Sequence, residues 1–295
     1  MEPPWPRNRT VQGEARRASS ADMDPRTLTR RALLRLAGGA LGAPLAAPLG
    51  TVATVLGALL PAACGGSPPE RLAPAPSGAT ERNRAAGGAT PPRFPAGTHN
   101  LELSGERDGV VVLPERAGPL PLILMLHGAG GSGRRAARLI EPAAAELGCA
   151  ILAPDSRDRT WDAITGAFGP DVRFLERALA AASEHCDLAP GRIAVAGFSD
   201  GATYALAVGL ANGDRFSHVL AFSPGFLIPG RRVGSPRVFV SHGRQDDVLP
   251  IDSCSRVMVP RLRKEGYAVD YREFDGRHEA PAEMVRQGVG LFAGG

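Results

Sequence analysis

The sequence has almost no lysine: Lys264 stands alone against 33 arginines. The skew is read as genome composition, but it has a chemical consequence. No lysine follows the one Gly-rich loop, so that loop is not a P-loop. Cysteine is nearly as scarce, with four residues and no CxxC or His/Cys spacing, so no metal site is indicated. A Gly-X-Y period is absent, which excludes collagen, and 43% hydrophobic residues exclude a wholly disordered chain. The positive charge is not where a nucleic-acid-binding core would need it. Residues 1–93 carry 12 Arg against 6 acids, whereas residues 94–295 carry 22 Lys and Arg against 24 acids. With the tail set aside no basic excess remains, and no nucleic-acid partner is expected.

Charge is also missing from Leu36 to Pro69. The apolar stretch Leu36–Cys64 follows Thr29-Arg30-Arg31-Ala32-Leu33-Leu34-Arg35. A paired arginine before a weakly apolar run is similar to a twin-arginine export signal. A membrane anchor is the other reading, since the run exceeds the roughly 20 residues that a bilayer requires. Interruption by Gly38, Gly39, Pro44, Pro48, Gly57 and Pro61 lowers helix propensity and favours the signal. The run ends in Leu60-Pro61-Ala62-Ala63-Cys64, similar to a lipobox but with Pro61 where an aliphatic residue is usual. The expected layout is an export signal over 1–64, a Pro/Gly/Ala-rich linker over 65–95 and one domain over 96–295. The protein is expected outside the cytoplasm, with a membrane tether if Cys64 is lipidated. Cys186 and Cys254 are the pair available for a disulfide after export, which their spacing leaves open.

Within 96–295, apolar runs of strand length alternate with helical patterns. The strands are expected at Gly109–Leu113, Leu120–Leu126, Cys149–Ala153, Ile193–Ala196, His218–Phe222, Arg237–Ser241 and Val269–Phe274. The helices are expected at Arg134–Leu147, Asp171–Cys186, Gly201–Ala211, Ser255–Glu265 and Ala280–Phe292. This is the pattern of an α/β fold, a mostly parallel sheet with helices on both faces, and functional groups at the C-terminal strand ends. No insertion is long enough for a lid domain.

Three of those strand ends carry reactive residues. Gly197-Phe198-Ser199-Asp200-Gly201 joins a strand to a helix, the context in which G-x-S-x-G presents a nucleophilic serine. The hydroxyl needs a base, and His278 follows the last strand downstream of Ser199. His185 and His218 are assigned to the surface, and His127 and His242 to turn or backbone roles. The base needs an acid. Asp246 and Asp247 compete, with Asp246 nearer its strand end and Asp275 a third option. Oxyanion donors are expected from the N–H groups of Asp200 and of Ala129 in His127-Gly128-Ala129-Gly130-Gly131. Trp161 and Phe226 are candidates for the substrate pocket wall, and packing of Trp161 on its own loop is the alternative. No cofactor and no metal is required by this chemistry.

From about Leu120 to Phe292 the chain resembles the phospholipase/carboxylesterase family of serine esterases, and their polyhydroxybutyrate-depolymerase and feruloyl-esterase relatives. The resemblance rests on His127-Gly128-Ala129-Gly130-Gly131, Gly197–Gly201, Phe222-Ser223-Pro224, His242-Gly243-Arg244-Gln245-Asp246 and Gly276-Arg277-His278-Glu279-Ala280-Pro281. It implies an α/β-hydrolase fold and a Ser199–His278–Asp246 triad, with Asp246 preferred because the family's H-G-x-x-D segment supplies the acid. It implies hydrolysis of an ester through an acyl-enzyme, and leaves the substrate and oligomeric state open; the lack of a lid insertion points to small soluble esters. A peptidase or thioesterase with the same triad, or an inactive surface-tethered binding module, are the alternatives. Arg277 departs from the small residue often found there, a cation placed to lower the pKa of His278 or to bind an acidic substrate group.

Overall fold

A computed structural model of the chain describes residues 71–72, 94–166 and 169–294. The expected export signal, Cys64 and most of the expected linker lie outside the described residues. Among the described residues no helix is long and apolar enough to cross a membrane.

The central strand explains the layering. β3 (Leu120–Leu126) is apolar throughout and buried at every position. Alternate side chains leave a strand on opposite faces, so Leu122, Leu124 and Leu126 join one hydrophobic cluster and Ile123 and Met125 join another. The first cluster takes in α3 (Pro170–His185), α4 (Asp200–Ala211) and α5 (Ser255–Lys264). The second takes in α1 (Gly133–Glu146) and α6 (Ala282–Ala293). A strand covered on both sides has no need of polar alternation. Fully burying each such leucine is worth about 1.5–3 kcal/mol before entropic costs.

The remaining strands are β1 (Gly97–Asn100), β2 (Gly109–Leu113), β4 (Ala150–Pro154), β5 (Leu188–Phe198), β6 (His218–Phe222), β7 (Arg237–Gly243) and β8 (Val269–Phe274). They form one eight-stranded sheet in the order β1-β2-β4-β3-β5-β6-β7-β8. β1 and β2 pair antiparallel, as do β2 and β4, and every other pairing is parallel. The C-terminal ends of β3, β5, β6, β7 and β8 therefore open side by side on one edge.

Three departures from the sequence reading have physical causes. β1 escaped it because its four residues are polar and mostly exposed. The one-turn α2 (Asp162–Thr165) is too short for helical periodicity. β5 begins at Leu188, not Ile193, with a register irregularity where Leu188 faces Leu120 and Ile193 faces Leu122. Pro190 and Gly191 lie in that stretch and conceal the strand.

Of the expected linker over 65–95, residues 71–72 and 94–95 are described, and they touch the folded domain. Leu72 is buried, its N–H donates to Asn212 Oδ1 at 2.8 Å, and Arg71 pairs with Asp214. Phe94 stacks between His99 and His185, with ring centroids 4.6 and 4.3 Å away. Isolated apolar residues in a Pro/Gly/Ala context carry no period, so their docking leaves no trace in the pattern.

Candidate active site

Ser199 sits between β5 and α4 with φ 57° and ψ −121°. A non-glycine residue in such a conformation costs about 1–3 kcal/mol and persists only where its surroundings impose it. The glycines on either side make the turn possible. A Cβ on Gly197 would lie 2.2 Å from the Gly201 carbonyl carbon, and one on Gly201 would lie 2.2 Å from Leu126 O. The Ser199 N–H donates to Phe222 O at 3.0 Å, tying the elbow to β6.

The hydroxyl meets His278 at Nε2, 2.9 Å away, and His278 Nδ1 lies 2.7 Å from Asp246 Oδ2. A carboxylate opposite Nδ1 can only accept, so Nδ1 carries the proton and Nε2 of the neutral ring accepts from Ser199. The three side chains come from three loops, each beyond its own strand. Phe198 packs against the His278 ring, with centroids 5.0 Å apart.

Burial separates the competing acids. The Asp246 side chain is fully buried, and its Oδ1 takes the N–H groups of Val248 at 3.0 Å and Leu249 at 2.8 Å. The Asp247 side chain is 58% exposed and pairs with Arg277. That hydrogen bond holds the Asp247 carboxyl below its ordinary range. Arg277 is therefore not a lone cation beside His278, because Asp247 counters it. Asp275, the third option, is 80% exposed and pairs with Arg244 at 2.7 Å.

The loop after β3 lies against the nucleophile: a Cβ on Gly128 would stand 3.3 Å from Ser199 Cβ. Ala129 follows on the exposed side of this loop. Asp200 is the first residue of α4, where a backbone N–H has no partner within its own helix. Asp200 adjoins Ser199 in the chain, and Ala129 adjoins Gly128, which approaches it. Thr160 Oγ1 donates to Asp200 Oδ2 at 2.6 Å, which turns that side chain toward the loop after β4.

Trp161 is not a pocket wall. It is fully buried, its Nε1–H donates to His127 O at 2.8 Å, and its ring packs between His127 and Tyr204. An indole buries a large apolar area once its N–H finds an acceptor, and the strand-end carbonyl of His127 provides one. The residue thereby fastens the start of the loop after β3. Phe226 remains on the surface, 38% exposed, after β6.

Of the other histidines, one departs from its expected place and one keeps it. His218, expected at the surface, is buried, and its Nε2 has no hydrogen-bond partner among the described residues. Burial, with Arg237 and Arg192 nearby, pushes its pKa down to about 4. His127 does serve a turn: Nδ1–H donates to Gly128 O at 2.7 Å and Nε2 accepts from the Ser156 N–H at 2.9 Å. Ser223, singled out only as part of a motif, fastens the base's loop by donating from Oγ to Glu279 O at 3.0 Å. Its own φ of 50° is unusual for serine, and no sequence signal marks it.

Cys149 and Cys254 are buried free thiols, so Cys254 does not pair with Cys186. Among the described residues no cluster of three or more His, Cys, Asp or Glu side chains stands within reach of one metal ion.

No family model matches the sequence, and no curated protein does. Solved structures match over most of the described chain. Esterase PE8 superposes with a TM-score of 0.54 at 22% identity, covering 63% of this chain and 98% of that one. The fluorophosphonate-binding serine hydrolase FphF of Staphylococcus aureus, solved with substrate bound, gives 0.55 at 14%, covering 68% and 99%. MGS-M1, an α/β hydrolase enzyme from a Medee basin deep-sea metagenome library, gives 0.50 at 20%, covering 62% and 84%.

The chain has the α/β-hydrolase fold. At these identities the likeness is one of fold. In this fold the serine, acid and histidine are expected in that chain order, each beyond its own strand. Ser199, Asp246 and His278 occur in that order and meet within hydrogen-bonding distance.

Proposed function

We propose that the protein is a serine hydrolase of carboxylic esters. The observation that carries this reading is the unbroken line Ser199 Oγ–His278–Asp246, ending on a serine in a strained elbow. Ser199 attacks the ester carbonyl carbon as His278 Nε2 takes the hydroxyl proton. The tetrahedral oxyanion lies between the N–H groups of Ala129 and Asp200. Collapse breaks the bond to the leaving oxygen, to which His278 returns the proton, and the acyl group stays on Ser199. A water molecule then attacks that acyl carbon, giving its proton to His278, and the acid departs as Ser199 is regenerated.

Small soluble esters suit this site. Among the described residues the strand-helix connections leave no lid, and two exposed apolar residues, Phe226 and Val248, lie on the loops after β6 and β7. Ser199→Ala is expected to lower the rate on p-nitrophenyl acetate by about 10³-fold or more, since nucleophile and base act as a unit. Undiminished hydrolysis by the pure variant would move the nucleophile elsewhere.

A further inference from the structure

A second serine and histidine converge on the same carboxylate from its buried side. His242, on β7, is completely buried. Its Nε2 lies 2.8 Å from Leu249 O and 3.1 Å from Asp246 Oδ2, and its Nδ1 lies 2.6 Å from Ser255 Oγ. Ser255 is the first residue of α5 and is also completely buried. A carbonyl and a carboxylate can only accept, so Nε2 carries the proton and Nδ1 accepts the Ser255 hydroxyl. Burial pushes the ring's pKa below its ordinary value, consistent with a neutral imidazole. The hydrogen bond is made to Leu249 O, and the carboxylate oxygen lies beside the same N–H.

Leu249 connects these contacts. Its N–H, with that of Val248, holds Asp246 Oδ1, while its carbonyl is held by His242. We infer that His242, oriented by Ser255, is a positioning residue for Asp246. It closes the turn that fixes the carboxylate, and it sets an N–H dipole against the oxygen that faces His278. This inference rests on the triad reading above. Without the imidazole N–H the turn loosens and the charge of Asp246 concentrates on His278, which then holds a proton more readily.

The other charged and titratable groups around this array are engaged elsewhere or neutral. On the β7–α5 connection, Asp247 pairs with Arg277, and the buried Cys254 thiol has its pKa raised by burial. On the β8–α6 loop, Glu279 takes the Arg277 N–H. On β8, Glu273, in register with His242, is held by Arg256 and Arg244.

The test compares two isosteres in the full chain. The amide nitrogen of glutamine can reach the place of Nε2, whereas asparagine reaches only that of Nδ1. For His242→Gln, kcat/KM on p-nitrophenyl acetate should keep the wild-type pH profile within about threefold. His242→Asn should move the acid limb up by about half to one pH unit, and lower kcat about tenfold with little change in KM. Ser255→Ala should move the limb the same way by less. A wild-type profile for His242→Asn, with Ser199→Ala inactive, overturns the inference and leaves the triad intact. Activity in Ser199→Ala overturns the triad reading itself. If neither His242 variant folds, Ser255→Ala decides: a shifted limb supports the role and an unshifted one overturns it.

Discussion

Asp246 and Asp247 are neighbours in sequence and opposites in environment. Period and motif place both at the end of β7. What distinguishes them is a turn that directs Asp246 into the protein, onto two backbone N–H groups, and Asp247 out toward Arg277. Asp246→Asn removes the acceptor that fixes the tautomer of His278 and should cost about 10²–10⁴-fold in kcat/KM. Asp247→Asn breaks only an exposed ion pair and should leave kcat/KM within about threefold. The reverse ranking would reassign the acid. Ser199 and His278 were legible because motif and chain order mark them. Trp161 was not, because an aromatic residue after a strand looks the same whether it faces substrate or supports a loop. Its role is set by the His127 carbonyl at the start of the loop after β3.

The elements were legible wherever burial left a period. β2, β3, β6 and β8 occupy the ranges that their apolar runs predict, and the long helices fall within two residues of theirs. What the pattern omits is the stitching between loops. Arg244 N–H donates to Phe274 O and Gln245 N–H to Gly276 O, both at 2.9 Å, so the loop that carries Asp246 is tied to the one that carries His278. Gly243 makes this contact possible, because a Cβ there would lie 2.2 Å from Arg277 O and 2.5 Å from Gly276 O. Both obstacles are backbone, so Gly243→Ala must displace the segment that carries His278. The expected loss is about 1–3 kcal/mol of stability and about 10²-fold in kcat/KM, since displacement of roughly 1 Å is enough for such a loss. Denaturant unfolding and steady-state kinetics measure the two, and a fully active Gly243→Ala would refute the close approach.

For the whole molecule, buried titratable groups set the acid response. His218 is neutral when folded, with its pKa at about 4, whereas the unfolded chain takes up a proton below about 6.5. Its contribution, up to about 3 kcal/mol, is fully present above pH 6.5 and is lost as pH falls toward 4. His127 and His242, also held low by burial, act in the same sense. Asp171 opposes them. Burial raises its pKa to about 6, so the folded state binds that proton first and its contribution falls as pH rises from about 4 to 6. The net expectation is stability that rises between pH 4 and 6.5, and a smaller rise in His218→Gln. Urea unfolding across that range reads both slopes, and equal slopes would remove His218 from the account. The central claim, that Ser199 is an activated nucleophile, is met most directly by a fluorophosphonate probe. Mass spectrometry of the labelled protein should find the phosphonyl group on Ser199 alone, with labelling abolished in Ser199→Ala and strongly slowed in His278→Ala. Absence of label, or label on another residue at the same rate in Ser199→Ala, would contradict it.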